Sequence, residues 1–390
     1  MQRSGDAVCW LPSEIITSNR CQVATVQPSY GRVSFTCDTH TLEQTFALLG
    51  FALAAYSVVG NDSIQTLGTF LVSNERRKWW QLWLFAGSIM AVVVTLGYLG
   101  YGEYLGGKGD DLTFGKFDGI FKDAVTFPTI SVWYVLPPLA LLFITRLGIP
   151  VSTTFLVLTF FAPKALPQML IKSLGGYGVA FTFAIVAFFA LSRLTERLFL
   201  QRPFDGENHG LWTNKIFWTI LQWSSTGFLW SQWLTQDLVN IMVYLGHPDQ
   251  VGAGTFAFAL VTLLAMLGYI FYRRGGKIQE IVRVKTNTQD IRSATFIDFF
   301  YGLVLLLFKF DMLGIGAKIP MSTTWVFLGM LAGREVALRI RLSEANQDGR
   351  QVAKMVFSDL GKATIGLVVS VMLVIFLYLV EGRDLTALFG

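Results

Sequence analysis

Ile149-Pro150-Val151-Ser152-Thr153-Thr154 returns, nearly unchanged, as Ile319-Pro320-Met321-Ser322-Thr323-Thr324. Each copy lies in apolar surroundings, follows a glycine approach (Gly148; Gly314 and Gly316) and opens a new apolar run. Proline has a preset φ and no N–H, so it fits the first position of a helix. The hydroxyls behind it can hydrogen-bond, and the first helical turn leaves backbone N–H groups open. Such a helix start attracts an anion without any Lys or Arg. Two copies at membrane depth predict one oxyanion held between two helix ends. Taken singly, each copy is better read as Ser and Thr back-bonding inside an ordinary membrane helix. The duplication is what favours a site.

The surroundings are those of a polytopic membrane protein. Of 390 residues, 53% are hydrophobic and 15% charged, with mean hydropathy +0.51; soluble domains carry nearer ~25% charge. Apolar runs of about 20 residues, enough to cross the hydrocarbon core, recur from roughly 43 to 380. The net charge of +5 does not point to nucleic acid, because the basic residues lie in loops between apolar runs. Cys9, Cys21 and Cys37 form neither a disulfide framework nor a metal site, and the three histidines are scattered. Residues 1–42 read as a polar N-terminal arm, without the apolar core of a signal peptide.

The rest divides into two similar halves, 43–202 and 203–390. The first holds a span broken at Gly60-Asn61-Asp62, a span from about Trp79 to Gly100, an acidic loop at 101–128, a span near 129–145, the first Pro-x-Ser-Thr-Thr element, a piece at 163–172 and a span at 178–194. The second repeats the plan: a span broken near Thr235-Gln236-Asp237, spans at 252–272 and 294–310, the second element, a polar stretch at 334–362 and a last span at 365–380. Asp62 to Pro150 is 88 residues and Asp237 to Pro320 is 83, so both motifs stay in step across the halves.

Counting each Pro-x-Ser-Thr-Thr hairpin as one net crossing gives five crossings per half. The basic loops at 76–78, 193–202, 273–292 and 334–362 then share one side, which the positive-inside rule makes cytoplasmic. The acidic loop and both termini fall outside. An odd number of crossings inverts one half relative to the other, the build of secondary transporters. The expected architecture is therefore all-α: an inverted repeat of two five-crossing halves, each with a broken helix and a re-entrant hairpin.

The two breaks and two hairpins should meet near the midplane, where irregular backbone is tolerated only if buried in protein or lining a wet cavity. An Asp at mid-span costs ~2.5–3.5 kcal/mol on insertion scales, so Asp62 and Asp237 need a reason. The plainer one is capping of a restarted helix. The functional one is a cation: a carboxylate beside an oxyanion repels it unless Na⁺ or H⁺ lies between. Asp62 and Asp237 are thus assigned to the coupling cation, with Na⁺ ligation as one form of that role, and no other cofactor is expected. Ser152, Thr153, Thr154, Ser322, Thr323 and Thr324 are assigned to the anion, and the amides Asn61, Gln65, Gln236 and Asn240 can serve either ion. No Lys or Arg sits in the four elements, although Arg146 lies four residues before Pro150. An intramembrane aspartyl protease is the enzymatic alternative. Neither aspartate sits in the Tyr-Asp or Gly-x-Gly-Asp context such enzymes pair, so a non-enzyme is expected.

These paired segments resemble the inorganic phosphate transporter (PiT) family, whose halves each carry a Gly-Ala-Asn-Asp-Val-Ala-Asn-type break and a Pro-Val-Ser-Thr-Thr-His hairpin. Here the breaks read Val59-Gly60-Asn61-Asp62-Ser63-Ile64-Gln65 and Thr235-Gln236-Asp237-Leu238-Val239-Asn240. The resemblance covers about 43 to 381. It implies cation-coupled symport of a tetrahedral oxyanion, phosphate in most members and sulfate in some, across the plasma (inner) membrane by a homodimer. The departures are Gln65 and Gln236 for Asn, and Phe155 and Trp325 for the His after each Ser-Thr-Thr. They keep open a permease for sulfate or a related oxyanion, and a transport-dead membrane sensor or scaffold. The Trp residues at 79, 80, 83, 212, 218, 223 and 230 read as an interfacial belt.

Overall fold

The computed structural model describes residues 39–105, 107–109, 111–121, 127–147, 149, 151–195, 210, 213–273, 291–311, 314, 316–342 and 349–382. The first 38 residues with their three cysteines, Pro150, Trp212, the charged stretches at 196–209 and 274–290, and residues 343–348 lie outside these. The described residues hold helices and no strand: α1 Thr39–Ser73, α2 Trp79–Tyr98, α3 Lys116–Phe121, α4 Leu136–Arg146, α5 Thr159–Phe161, α6 Leu166–Thr195, α7 Lys215–Asp237, α8 Val239–Met242, α9 Ala253–Tyr272, α10 Ile291–Lys309, α11 Thr323–Leu342 and α12 Gly349–Val380. Within α1, α2, α6, α9, α10 and α12 lie six segments long and apolar enough to cross a membrane. Leu84, Val92, Val186, Val261 and Leu379 point outward from them and are exposed, while Asn61, Gln236 and Asn240 are buried. That is the polarity expected of a chain whose solvent is lipid.

α1 runs through the middle, touching α4, α7, α8, α9, α10 and α11. Its C-terminal end meets the start of α7, where Asn74 Nδ2 donates to Gln222 Oε1 at 2.9 Å, and its Gly50 lies against Tyr244 beyond the far end of α7. The two helices are therefore antiparallel. So are α2 and α9: Trp79 packs on Tyr272, and Tyr98 stacks on Phe256 at 4.0 Å. The tightest seam is between α6 and α11. A Cβ on Gly329 would lie 2.5 Å from Tyr177 O, and one on Gly333 would run into Phe181 O. Small residues at such a seam let two backbones touch, as membrane helices prefer.

Four expectations are corrected. α1 continues unbroken through Gly60-Asn61-Asp62. α7 gives way to α8 at Leu238, whose dihedrals stay helical and whose N–H reaches Leu234 O at 3.2 Å, so Thr235-Gln236-Asp237 is no real break either. One glycine costs a helix only ~1 kcal/mol, and the polar side chains here bond to neighbouring elements instead of the local ladder. The pieces at 163–172 and 178–194 are joined in one helix that continues through the glycines between them, and Gly176 serves packing: a Cβ there would meet Met321 Sδ at 2.9 Å. The span expected near 129–145 is a short 3₁₀ turn, Val132–Val135, leading into α4, too short to cross alone.

Candidate functional site

Both Ser-Thr-Thr elements start helices, but the serine, not the proline, is the cap. Ser152 Oγ accepts from Phe155 N at 3.2 Å, and Ser322 Oγ from Trp325 N at 3.4 Å. Pro320 lies two residues upstream in non-helical backbone. The helix at 153–161 opens with the π-helical stretch Thr154–Leu158. Capping by serine satisfies one first-turn N–H and frees the two threonines that follow to face other elements.

Those threonines clasp the aspartates. Thr153 Oγ1 donates to Asp62 Oδ2 at 2.7 Å, and Thr323 Oγ1 makes the matching bond to Asp237 Oδ2. Thr154 Oγ1 crosses to the other half and donates to Asp237 Oδ1 at 3.1 Å. Asn240 Nδ2 lies within reach of Thr153 Oγ1 at 2.9 Å, Asp237 Oδ1 at 3.2 Å and Thr154 Oγ1 at 3.4 Å. Asn61 Nδ2 donates to Asp62 Oδ1 at 2.6 Å and to Val151 O at 2.7 Å, the same carbonyl that accepts from Thr324 Oγ1 at 3.1 Å. Elements far apart in the chain thus converge on one buried polar cluster, with the two carboxylates linked through Thr153 and Asn240.

Two of the predicted residues stand apart. Gln236 Nε2 turns to Leu305 O at 3.5 Å, and Gln65 Nε2 has no hydrogen-bond partner among the described residues. Gln236 Oε1 and Asn240 Oδ1 are likewise buried without one. Buried polar atoms are nearly always bonded, so an amide set with three orphans is an exception that calls for a reason. Phe155 and Trp325, the residues after each Ser-Thr-Thr, meet edge to face with centroids 5.7 Å apart. Arg146 is exposed and takes no part.

Several functional groups escape a reading of residue types. Val151 contributes through its carbonyl, which no sequence pattern flags. Ser173 on α6 accepts from Ser322 N at 2.9 Å, and Tyr301 on α10 donates to Thr323 O at 3.0 Å, steadying the second element. A third buried carboxylate, Asp298 on α10, takes hydroxyls from Thr69 on α1 and Thr226 on α7; its place inside an apolar span was the signal. Trp230 is not belt but core: it is fully buried, stacks on Trp233 at 4.7 Å and donates to Ala86 O at 3.0 Å. Trp79 and Trp80, by contrast, are exposed.

An all-helical polytopic membrane protein with a polar cluster buried among its helices is the class these features define. No family model and no curated protein matches the chain. Among solved structures it is similar in fold to one titled "The sodium-dependent phosphate transporter", with a TM-score of 0.53 over 86% of this chain and 96% of that one, at 16% identity.

Proposed function

We propose that the chain is a secondary transporter that symports inorganic phosphate with Na⁺ or H⁺ through the buried cluster. The observation that carries this reading is Asp237, which receives hydroxyls from the Ser-Thr-Thr elements of both halves. A site shared between two halves can change its access from one side to the other when the halves rock against each other. In this reading Asp62 and Asp237 hold the cation. The three threonine hydroxyls that now donate to them turn toward it through oxygen once it arrives, since a hydroxyl can do either. Asn61, Gln65, Gln236, Asn240 and the Ser-Thr-Thr elements hold the oxyanion.

The halves, 43–202 and 203–390, are proposed to be inverted copies with the hairpins re-entrant. The antiparallel packing of α1 on α7 and of α2 on α9 supports this, because counterparts in an inverted repeat must run oppositely. A homodimer in the plasma (inner) membrane, with both termini outside, completes the reading. The solved transporter of similar fold supports it through its shape. Sulfate is the second substrate, favoured by Gln236, whose amide reaches Leu305 O instead of the cluster and so leaves a differently shaped pocket. Radiolabelled phosphate uptake into proteoliposomes, under an imposed Na⁺ or H⁺ gradient and with sulfate as competitor, tests both. Uptake of neither anion refutes the transport reading.

A further inference from the structure

Three lysines are buried beside the second Pro-x-Ser-Thr-Thr element and play no part in the cluster just described. Lys116 on α3, Lys172 on α6 and Lys309 at the end of α10 are each at most 4% exposed. Lysine is almost never so buried without a partner of opposite charge, since desolvating an ammonium costs several kcal/mol. Yet among the described residues no carboxylate makes an ion pair with any of them. Of the neighbouring carboxylates, Asp111 Oδ2 accepts from Gly115 N at 2.7 Å and Asp118 pairs with Lys318 at 2.9 Å, while Asp311, whose Oδ1 accepts from Gly316 N at 2.8 Å, attracts Lys172 without forming an ion pair with it.

Lys172 and Lys116 hold the loop that leads into Pro320, and Lys309 lies within electrostatic reach of Lys116. Lys172 Nζ directs its donors at Gly316 O at 2.9 Å, Ala317 O at 3.4 Å and Ile319 O at 2.8 Å. Lys116 Nζ also bonds Ala317 O, at 2.8 Å, so two like charges share one carbonyl. Among the described residues Lys309 Nζ bonds only Leu105 O, at 3.1 Å. An ammonium has three donors, so Lys116 and Lys309 each keep two in hand while Lys172 adds charge. Burial first, and then the like charges of Lys172 and Lys309, hold Lys116 well below the ordinary lysine range, with Asp237 pulling the other way. A bound anion offsets both causes.

We propose that Lys116, Lys172 and Lys309 form a second anion subsite, on the loop side of the buried cluster, that takes a small tetrahedral oxyanion such as inorganic phosphate. That the subsite feeds the cluster rests on the transport reading; that it binds an anion does not. It brings to the approach path the positive charge that the cluster itself lacks. An oxyanion is thereby drawn in by ammonium groups and handed to hydroxyl and amide donors.

The test is calorimetric titration of inorganic phosphate into the full-length chain in lipid nanodiscs. Lys116→Gln with Lys309→Gln keeps a donor for each carbonyl and removes the charge. This pair should weaken binding by about tenfold or more, the worth of a lost charge-assisted hydrogen bond. Lys116→Arg with Lys309→Arg should restore it, and Lys318→Gln, which removes an exposed charge from the same loop, should leave this binding step in place. Unchanged affinity in the Gln pair overturns the subsite and leaves the lysines as clasps of the 316–319 loop. Equal weakening by Lys318→Gln, or no binding in the wild type, overturns it as well. Lysine-dependent binding without any uptake would instead keep the subsite and remove the transport reading. Should the Gln pair fail to fold, anomalous scattering from selenate bound to the wild-type protein decides. A peak within reach of Lys116 and Lys309 supports the subsite, and its absence there refutes it.

Discussion

Asp237 and Asp62 are not equivalent, although the sequence repeats them. Asp237 takes hydroxyls from both halves, whereas Asp62 takes one from Thr153 and an amide from its neighbour Asn61. If both hold the coupling cation, Asp237→Asn removes its charge at nearly the same shape: one of the Thr154 and Thr323 hydroxyls keeps a carbonyl to donate to, and the other turns to accept from the new amide. Uptake driven by an imposed Na⁺ or H⁺ gradient should then fall to background, and unchanged gradient dependence would remove the assignment. Thr154→Val and Thr324→Val should each raise the phosphate KM about tenfold, the worth of one hydrogen bond to a charged group; an unaltered KM in both would argue against a shared anion site. These residues were legible because hydroxyls and carboxylates are conspicuous in apolar runs. Val151 O was not, since any residue has a carbonyl. Lys172 and Lys309 were visible as charges inside or beside spans, but nothing in their spacing shows that Lys172 shares a loop carbonyl with Lys116 or that Lys309 lies close to Lys116, in a segment far from both.

At the level of elements, periodicity and hydropathy located the spans, while local cues misplaced the breaks. Gly60-Asn61-Asp62 reads as a helix end only if its side chains bond locally; here Val151 O and Thr153 Oγ1, about ninety residues away, take them instead. The interruption expected between 172 and 178 fails in the same way, since Gly176 lies inside the helix and marks contact with Met321. The α6–α11 seam makes that distinction measurable. Gly333→Val puts a side chain into Phe181 O, backbone that cannot move aside, and overpacking of this kind costs about 1–3 kcal/mol. The melting temperature in detergent should drop by several degrees. Gly178→Ala, on the same helix as Phe181 but with nothing within 4 Å of its Cβ, should leave it unchanged or slightly higher. Equal effects from the two would mean that the seam is not where the helices are held.

Across the whole molecule, the two ends carry different chemistry. At one lie Arg76, Arg77 and Lys215, lining a cavity of about 690 Å³ with Ser73, Thr219 and Ile291. At the other lie Lys108, Asp249 and the loop beside α3, where the His247 ring packs on Phe117. α1 and α7 connect these ends in opposite directions, as the proposed inverted arrangement requires. In the proposed orientation the basic residues put the first end on the cytoplasmic side. With Cys9, Cys21 and Cys37 replaced by Ser, single cysteines at exposed positions report the side directly. A membrane-impermeant maleimide applied to intact cells should label Lys108→Cys and Asp249→Cys. It should reach Arg76→Cys and Lys215→Cys only after the membrane is opened. Labelling of Arg76→Cys and Lys108→Cys from the same side would mean that α2 does not carry the chain across, and the inverted arrangement would fall with it. Labelling of the opposite set would keep the inversion and reverse its orientation, placing the lysine triad at the cytoplasmic mouth, where it would act on anion release instead of capture.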